Sequence, residues 1–179
     1  REACRAARGG TGAAKTGGNY AASLQSAQNV QRRGYDQSLW LDPIEMKYIE
    51  ELSGMNFFIL QNGELHTPML NGSFLAGITR DSIISLARHK GITVIERDIP
   101  IQEVLTGIQS GAVSEIFACG TAAIVSPVSV IADADGTNYA VEKVDELAAT
   151  LRKSLLRIQE KTDVDPFSWT LTVADEYYP

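Results

Sequence analysis

Five glycines and a single lysine share the stretch Gly9-Gly10-Thr11-Gly12-Ala13-Ala14-Lys15-Thr16-Gly17-Gly18-Asn19-Tyr20, and no other charge lies within it. Glycine accepts positive φ and lets other backbone or a ligand approach closely, at a larger loss of conformational entropy than any other residue. A stretch this dense is either a flexible linker with a solvated lysine or a loop shaped around something. In the second case the lysine serves as a phosphate clamp or as a nucleophile that traps carbonyls.

The phosphate-clamp reading is close but wrong in detail. Gly9 to Thr16 would fit G-x-x-x-x-G-K-[ST], except that Ala14 stands where the last glycine belongs. That glycine lets consecutive N–H groups curl around phosphate. The flanks disagree too. Charged, alanine-rich Arg1 to Arg8 occupies the place of an apolar strand, and Gly17-Gly18 follow where a helix should open. Leu39-Trp40-Leu41-Asp42 imitates the acidic strand of such a site, but runs of this kind are common, and nucleotide hydrolysis is set aside.

The stretch resembles the active-site lysine segment of branched-chain amino acid aminotransferases, pyridoxal-phosphate enzymes of fold type IV. Gly9-Gly10-Thr11-Gly12, Lys15 and Gly17-Gly18-Asn19-Tyr20 match that family's G-G-T-G-x-x-K-x-G-G-N-Y position by position. The similarity continues in order through four further landmarks to about Trp169. The resemblance implies that residues 1–179 are one domain, the larger C-terminal cofactor domain, with a smaller N-terminal α/β domain ahead of residue 1.

Composition is compatible with that. At 179 residues, 44% hydrophobic and 21% charged, the chain can bury one real core. A net charge of −6 argues against nucleic acid or an anionic membrane as partner. No apolar run is long enough to span a bilayer. Cys4 and Cys119 lack metal-ligand spacing, and His66 and His89 add no credible zinc site. Two distant, reduced cysteines lean towards a cytoplasmic location.

The periodicity predicts a helix over 21–33, capped by Asn19 and stopped by Gly34. Strands follow at 38–41, 48–52 and 57–60, and Gln61-Asn62-Gly63-Glu64 turns the chain into a strand at 65–67. A second helix opens at Gly77 and stops at Gly91, a strand occupies 93–99, and a short helix 101–109. The chain is then strongly β at 116–119, 122–125, 128–131 and 139–141, before an amphipathic helix at 144–159. Pro166 to Pro179 reads as a tail or docking segment. Strands between helices without strict βαβ alternation predict an α+β fold with a mixed, mostly antiparallel sheet; the resemblance implies that this sheet is barrel-like and flanked by helices.

The resemblance also distributes roles. Lys15 becomes the catalytic, Schiff-base lysine; its amine must be available in neutral form, which desolvation and nearby positive charge favour. Tyr20, otherwise an amphipathic packing residue, bonds the cofactor phenolate oxygen. Glu51, otherwise half of a solvated acid pair with Glu50, keeps the ring nitrogen protonated. Gly77-Ile78-Thr79 forms one half of the phosphate cup, where a helix start presents free N–H groups. Gly120-Thr121 forms the other half. The substrate carboxylate falls to Gly54, Thr121 and Ala122, although many relatives carry threonine in place of Gly54. Asn56 orders the turn. Cys119 is a small buried residue rather than a nucleophile, and the redox C-x-x-C of mammalian relatives is replaced by Ala123 and Ser126. Arg5 matches a family arginine without an assigned role.

The function implied is transfer of the amino group of leucine, isoleucine or valine to 2-oxoglutarate with pyridoxal 5'-phosphate, by a protein that is usually a homodimer. Two alternatives stand beside it. One is another fold type IV enzyme, such as a D-amino acid or (R)-amine transaminase or a lyase. The other is a non-catalytic ligand-binding or dimerisation module.

Overall fold

The computed structural model describes residues 4–21, 23–142 and 146–173. In chain order its elements are α1 (Gly17–Ala21), α2 (Leu24–Arg32), β1 (Leu39–Leu41), β2 (Ile49–Leu52), β3 (Met55–Gln61) and β4 (Glu64–Pro68). Then come α3 (Ile78–His89), β5 (Val94–Arg97), α4 (Ile101–Ser110), β6 (Val113–Gly120), β7 (Ile124–Pro127), β8 (Val130–Ala132), β9 (Asn138–Ala140) and α5 (Glu146–Gln159).

Seven strands make one sheet, with β3 at its centre, while β8 and β9 form a separate hairpin. Along one edge β3 runs antiparallel to β6, from Asn56 opposite Cys119 to Ile59 opposite Ile116. Its other edge is shared: β2 takes the beginning, with Glu51 opposite Asn56, and β4 takes the end, with Ile59 opposite His66. β4 and β5 are parallel because the chain returns through α3 between them. A bridge between Tyr48 and Pro100 joins the start of β2 to the chain beyond β5. Ile49 N there donates to Ile99 O, and Ile101 N to Lys47 O, both at 2.9 Å. The circuit β2-β3-β4-β5 therefore closes on itself, which gives a mixed, mostly antiparallel sheet its barrel-like character.

Side chains alternate across this sheet into two cores. Phe57, Ile59, Ile116 and Ala118 meet Val104, Leu105 and Ile108 of α4. Phe58, Phe117 and Cys119 meet Ile83 and Leu86 of α3 and Leu151 and Leu155 of α5. The rings of Phe58 and Phe117 stack with centroids 5.0 Å apart. A strand buried on both faces carries a continuous apolar run, and so Phe57-Phe58-Ile59-Leu60 and Ile116-Phe117-Ala118-Cys119 read as they do.

Two expectations need correction. The helix predicted over 21–33 is α2, described from Leu24 to Arg32, and Asn19 lies inside the separate, preceding α1 rather than capping α2. Its side chain is committed to the glycine loop, as described below. The strand predicted at 122–125 starts only at Ile124, because residues 121–123 form a turn that Ile124 leaves at φ 61°. That left-handed conformation is a strained one for a β-branched side chain. The helix predicted from Val144 is described from Glu146 onward, Val144 itself lying outside the described residues. Of the tail, Phe167 packs against the second core and stacks on Trp169; residues 174–179 are likewise outside.

Candidate active site

The glycine stretch is folded by one amide. Asn19 is 4% exposed, and its Nδ2 donates to the carbonyls of Thr11 (2.7 Å) and Ala14 (2.9 Å), while its Oδ1 accepts from Thr11 Oγ1 (2.7 Å). The loop is thereby drawn tight just ahead of Lys15. Gly12 is a glycine from necessity, since a Cβ there would lie 2.0 Å from the Ser73 carbonyl oxygen. Lys15 and Tyr20 are both exposed.

Glu50 and Glu51 leave the surface together. The register of β1 on β2 sets Trp40 opposite Glu51 and Leu41 opposite Ile49, skipping Glu50. Such a bulge re-aims side chains that strict alternation would send to opposite faces. The two glutamates are 2% and 3% exposed, so the reading of Glu50 as a solvated acid is corrected. Arg5 Nε stands 2.6 Å from Glu51 Oε1, both side chains buried. The same guanidinium donates through Nη2 to the carbonyls of Ser73 (3.1 Å) and Gly12 (3.3 Å). Glu50 Oε1 accepts from Ser73 Oγ, and Ser73 is fully buried. Burial pushes the Glu51 carboxyl up, Arg5 draws it down and the Glu50 charge raises it again, leaving it at about 7.

Asn56, opposite Glu51, ties in the start of α3. Its Nδ2 donates to Leu75 O at 2.9 Å, and a Cβ on Gly77 would lie 2.2 Å from its Oδ1. Gly77 is the N-cap of α3 and provides no side-chain cap, so the first N–H groups of the helix are left for another partner. Thr79 is the second residue of the helix rather than its cap. From the other side, Gly120 stands against the β2–β3 turn, its hypothetical Cβ 3.5 Å from Met55 Cγ and 3.6 Å from Gly54 O. Gly77, Thr79 and Gly120 are half-buried, whereas Gly54, Ile78, Thr121 and Ala122 are exposed.

The glycine loop, the carboxylate pair, the α3 start and the Gly120 turn thus meet around the beginning of β3. Arg5 gains a definite partner there. Sequence reasoning missed Glu50 and Ser73. The adjacent acids were visible, but the bulge that buries them was not, and Ser73 has no local pattern to mark it. Cys119 is fully buried, and burial pushes its thiol up to about 12, in agreement with a packing residue. Among the described residues no three His, Cys, Asp or Glu side chains group to hold a metal ion, and no helix is long and apolar enough to cross a membrane. A cavity of about 640 Å³ between α2, β1, α4 and β8, lined by Val30, Trp40, Leu105 and Ile131, lies apart from these residues.

Residues 3–131 match the family model for amino-transferase class IV. Branched-chain-amino-acid aminotransferase 2 of Bacillus subtilis is 48% identical over 174 residues, covering 97% of this chain and 48% of its own. A crystal structure of the Escherichia coli branched-chain amino acid aminotransferase superposes with a TM-score of 0.79 at 32% identity, covering 94% of this chain and 53% of that one. The branched-chain aminotransferase of Thermoproteus uzoniensis, solved with norvaline, gives 0.68 at 32%, covering 82% and 44%. The chain spans about half the length of the relatives it matches.

Proposed function

The chain belongs to the class IV aminotransferases, and we propose that it is the cofactor domain of a branched-chain amino acid aminotransferase that uses pyridoxal 5'-phosphate and passes amino groups to 2-oxoglutarate. The observation that carries this is the buried Arg5–Glu51 pair, held by one guanidinium against the glycine loop of Lys15. The donor set suits the cofactor. It combines a buried carboxylate for a ring nitrogen, an uncapped helix start for a dianion, and a lysine for an aldehyde. A related branched-chain amino acid aminotransferase, 33% identical, has been solved with pyridoxamine 5'-phosphate, the aminated form of the same cofactor.

Bound here, the cofactor supplies an electron sink for charge left at the substrate Cα. Glu51 holds the ring nitrogen protonated, and Arg5 keeps Glu51 ionised enough to do so. Lys15 Nζ would hold the cofactor through its aldehyde carbon and would carry the proton at the substrate Cα. Tyr20 supplies its hydroxyl to the phenolate oxygen. The N–H groups of Ile78 and Thr79, with Gly120 and the Thr121 hydroxyl, bind the phosphate. Gly54, Thr121 and Ala122 receive the substrate carboxylate. Gly54 brings no hydroxyl, so that contact rests on backbone N–H groups and Thr121.

The test is to load the full-length protein with pyridoxal 5'-phosphate, reduce with borohydride and locate the modified residue by mass spectrometry. Label on Lys15, absent from Lys15→Ala, together with turnover of leucine, isoleucine or valine against 2-oxoglutarate, is the expected result. No label on Lys15 overturns the enzyme reading. Label with preference for D-amino acids or (R)-amines moves the protein to another branch of the fold type.

A further inference from the structure

The roles just given leave one buried carboxylate without employment. Glu50 is 2% exposed, and its Oε1 accepts from Ser73 Oγ and, at 3.5 Å, from Asn71 Nδ2. Asn71 Oδ1 in turn accepts from Ser73 N at 2.9 Å, so Ser73 is gripped from side chain and backbone. Ser73 is also where three parts of the site converge. Its carbonyl accepts from Arg5 Nη2, its backbone lies against Gly12, and Arg5 continues to Glu51. Neighbouring carboxylates therefore hold the two ends of one bridge, Glu51 taking the guanidinium directly and Glu50 taking the serine on which the guanidinium rests.

We infer that Glu50 is a positioning residue of this site, fixing through Ser73 where Arg5 and the glycine loop stand, and hence where Glu51 and Lys15 meet the cofactor. The inference rests on the function proposed above. A buried charge that only filled space would cost free energy for nothing; here it holds Ser73, which touches both the loop of Lys15 and the partner of Glu51. Glu50 also faces Glu51 electrostatically, and its charge raises the Glu51 carboxyl. Geometry and charge can thus be separated by substitution.

The experiment uses the full-length protein with pyridoxal 5'-phosphate and compares Glu50→Gln, Glu50→Ala and Ser73→Ala with the parent. Cofactor retention by dialysis, its pH dependence, kcat, KM and thermal unfolding are measured. Glu50→Ala and Ser73→Ala are expected to lose about tenfold in retention and in kcat with KM little changed, the scale of one buried hydrogen bond. Glu50→Gln keeps an acceptor for Ser73 and should recover most of that loss. Its acid limb of cofactor retention should move to lower pH by about half a unit, because Glu51 no longer has a charged neighbour. A general loss of stability would move neither quantity in that direction. The inference is overturned by a folded Glu50→Ala with parental retention and kcat, or by Glu50→Gln no better than Glu50→Ala and with an unmoved acid limb. Should the parent itself fail to take up the cofactor, the functional reading falls and this one with it, and the silence of the parent distinguishes that case.

Discussion

Burial pushes the Glu51 carboxyl up, the Arg5 guanidinium at 2.6 Å pulls it back and Glu50 raises it, so the group stands at about 7 instead of 4.5. Between those values the folded chain binds more protons at Glu51 than the unfolded chain. Its contribution to stability therefore falls as pH rises from 4.5 to 7, by up to about 1.4 kcal/mol per pH unit, and is constant outside that window. Denaturant unfolding from acid to neutral pH should show this slope as the difference between parent and Glu51→Gln. A difference that stays flat would contradict the assignment. Arg5→Met removes the downward pull and leaves Glu51 neutral at neutral pH. Cofactor retention should then fall on the order of tenfold, measured by dialysis against the parent; parental retention would detach Arg5 from the site. At this scale Lys15, Glu51 and Asn56 stand out in the sequence through the resemblance to the family's motifs. The sequence did not expose Ser73 or the burial of Glu50, since a β-bulge depends on register between strands and leaves no mark in the residues that form it.

Among the elements, β6 and α5 illustrate how a sheet and a helix are tied end to end. Glu115 is 2% exposed in β6, and its oxygens accept from Leu147 N at 2.8 and 2.9 Å and from Ala148 N at 3.1 Å. A carboxylate at a helix start satisfies free N–H groups and complements the helix dipole. Glu115→Ala is expected to destabilise the chain by about 1–3 kcal/mol in urea unfolding, while Lys15 remains open to borohydride trapping; a midpoint equal to the parent's would show that water replaces the carboxylate without loss. Gly12→Ala addresses the glycine loop. Its methyl would meet the Ser73 carbonyl at 2.0 Å, and both partners are backbone, so a loop has to move. Trapping of the cofactor on Lys15 should drop by about tenfold. Undiminished trapping would mean that the loop position is irrelevant to Lys15. β3 and β6 were legible because burial on both faces forces apolar runs, whereas the start of β7 and the break between α1 and α2 were not. Asn19 has the sequence position of a helix cap, and only the folded loop shows its amide spent on Thr11 and Ala14.

On the scale of the whole molecule, two cores and a closed strand circuit make the sheet rigid, and the site sits where loops leave it. The buried half of that site is charged and interlocked, but Lys15 and Thr121 are exposed, Tyr20 is 39% exposed and Ile78, at the start of α3, 87%. Charge stabilisation at a reacting centre depends on excluding water, and an open lysine loop excludes little. Ile78 stands bare at the helix start proposed above to hold the phosphate. The chain also spans about half the length of its relatives. On the domain reading proposed above, the 179 residues taken alone are expected to retain pyridoxal 5'-phosphate at least about 100-fold more weakly than the longer protein, and to transaminate correspondingly slowly. Spectral titration of both proteins with the cofactor, followed by a leucine–2-oxoglutarate assay at saturating cofactor, separates retention from turnover. Weak retention with full turnover at saturation would mean that the additional domain of the longer protein only holds the cofactor. Equal retention and equal turnover would mean that these residues already contain the entire catalytic site, and that the exposure of Lys15 and Ile78 is no obstacle to the chemistry.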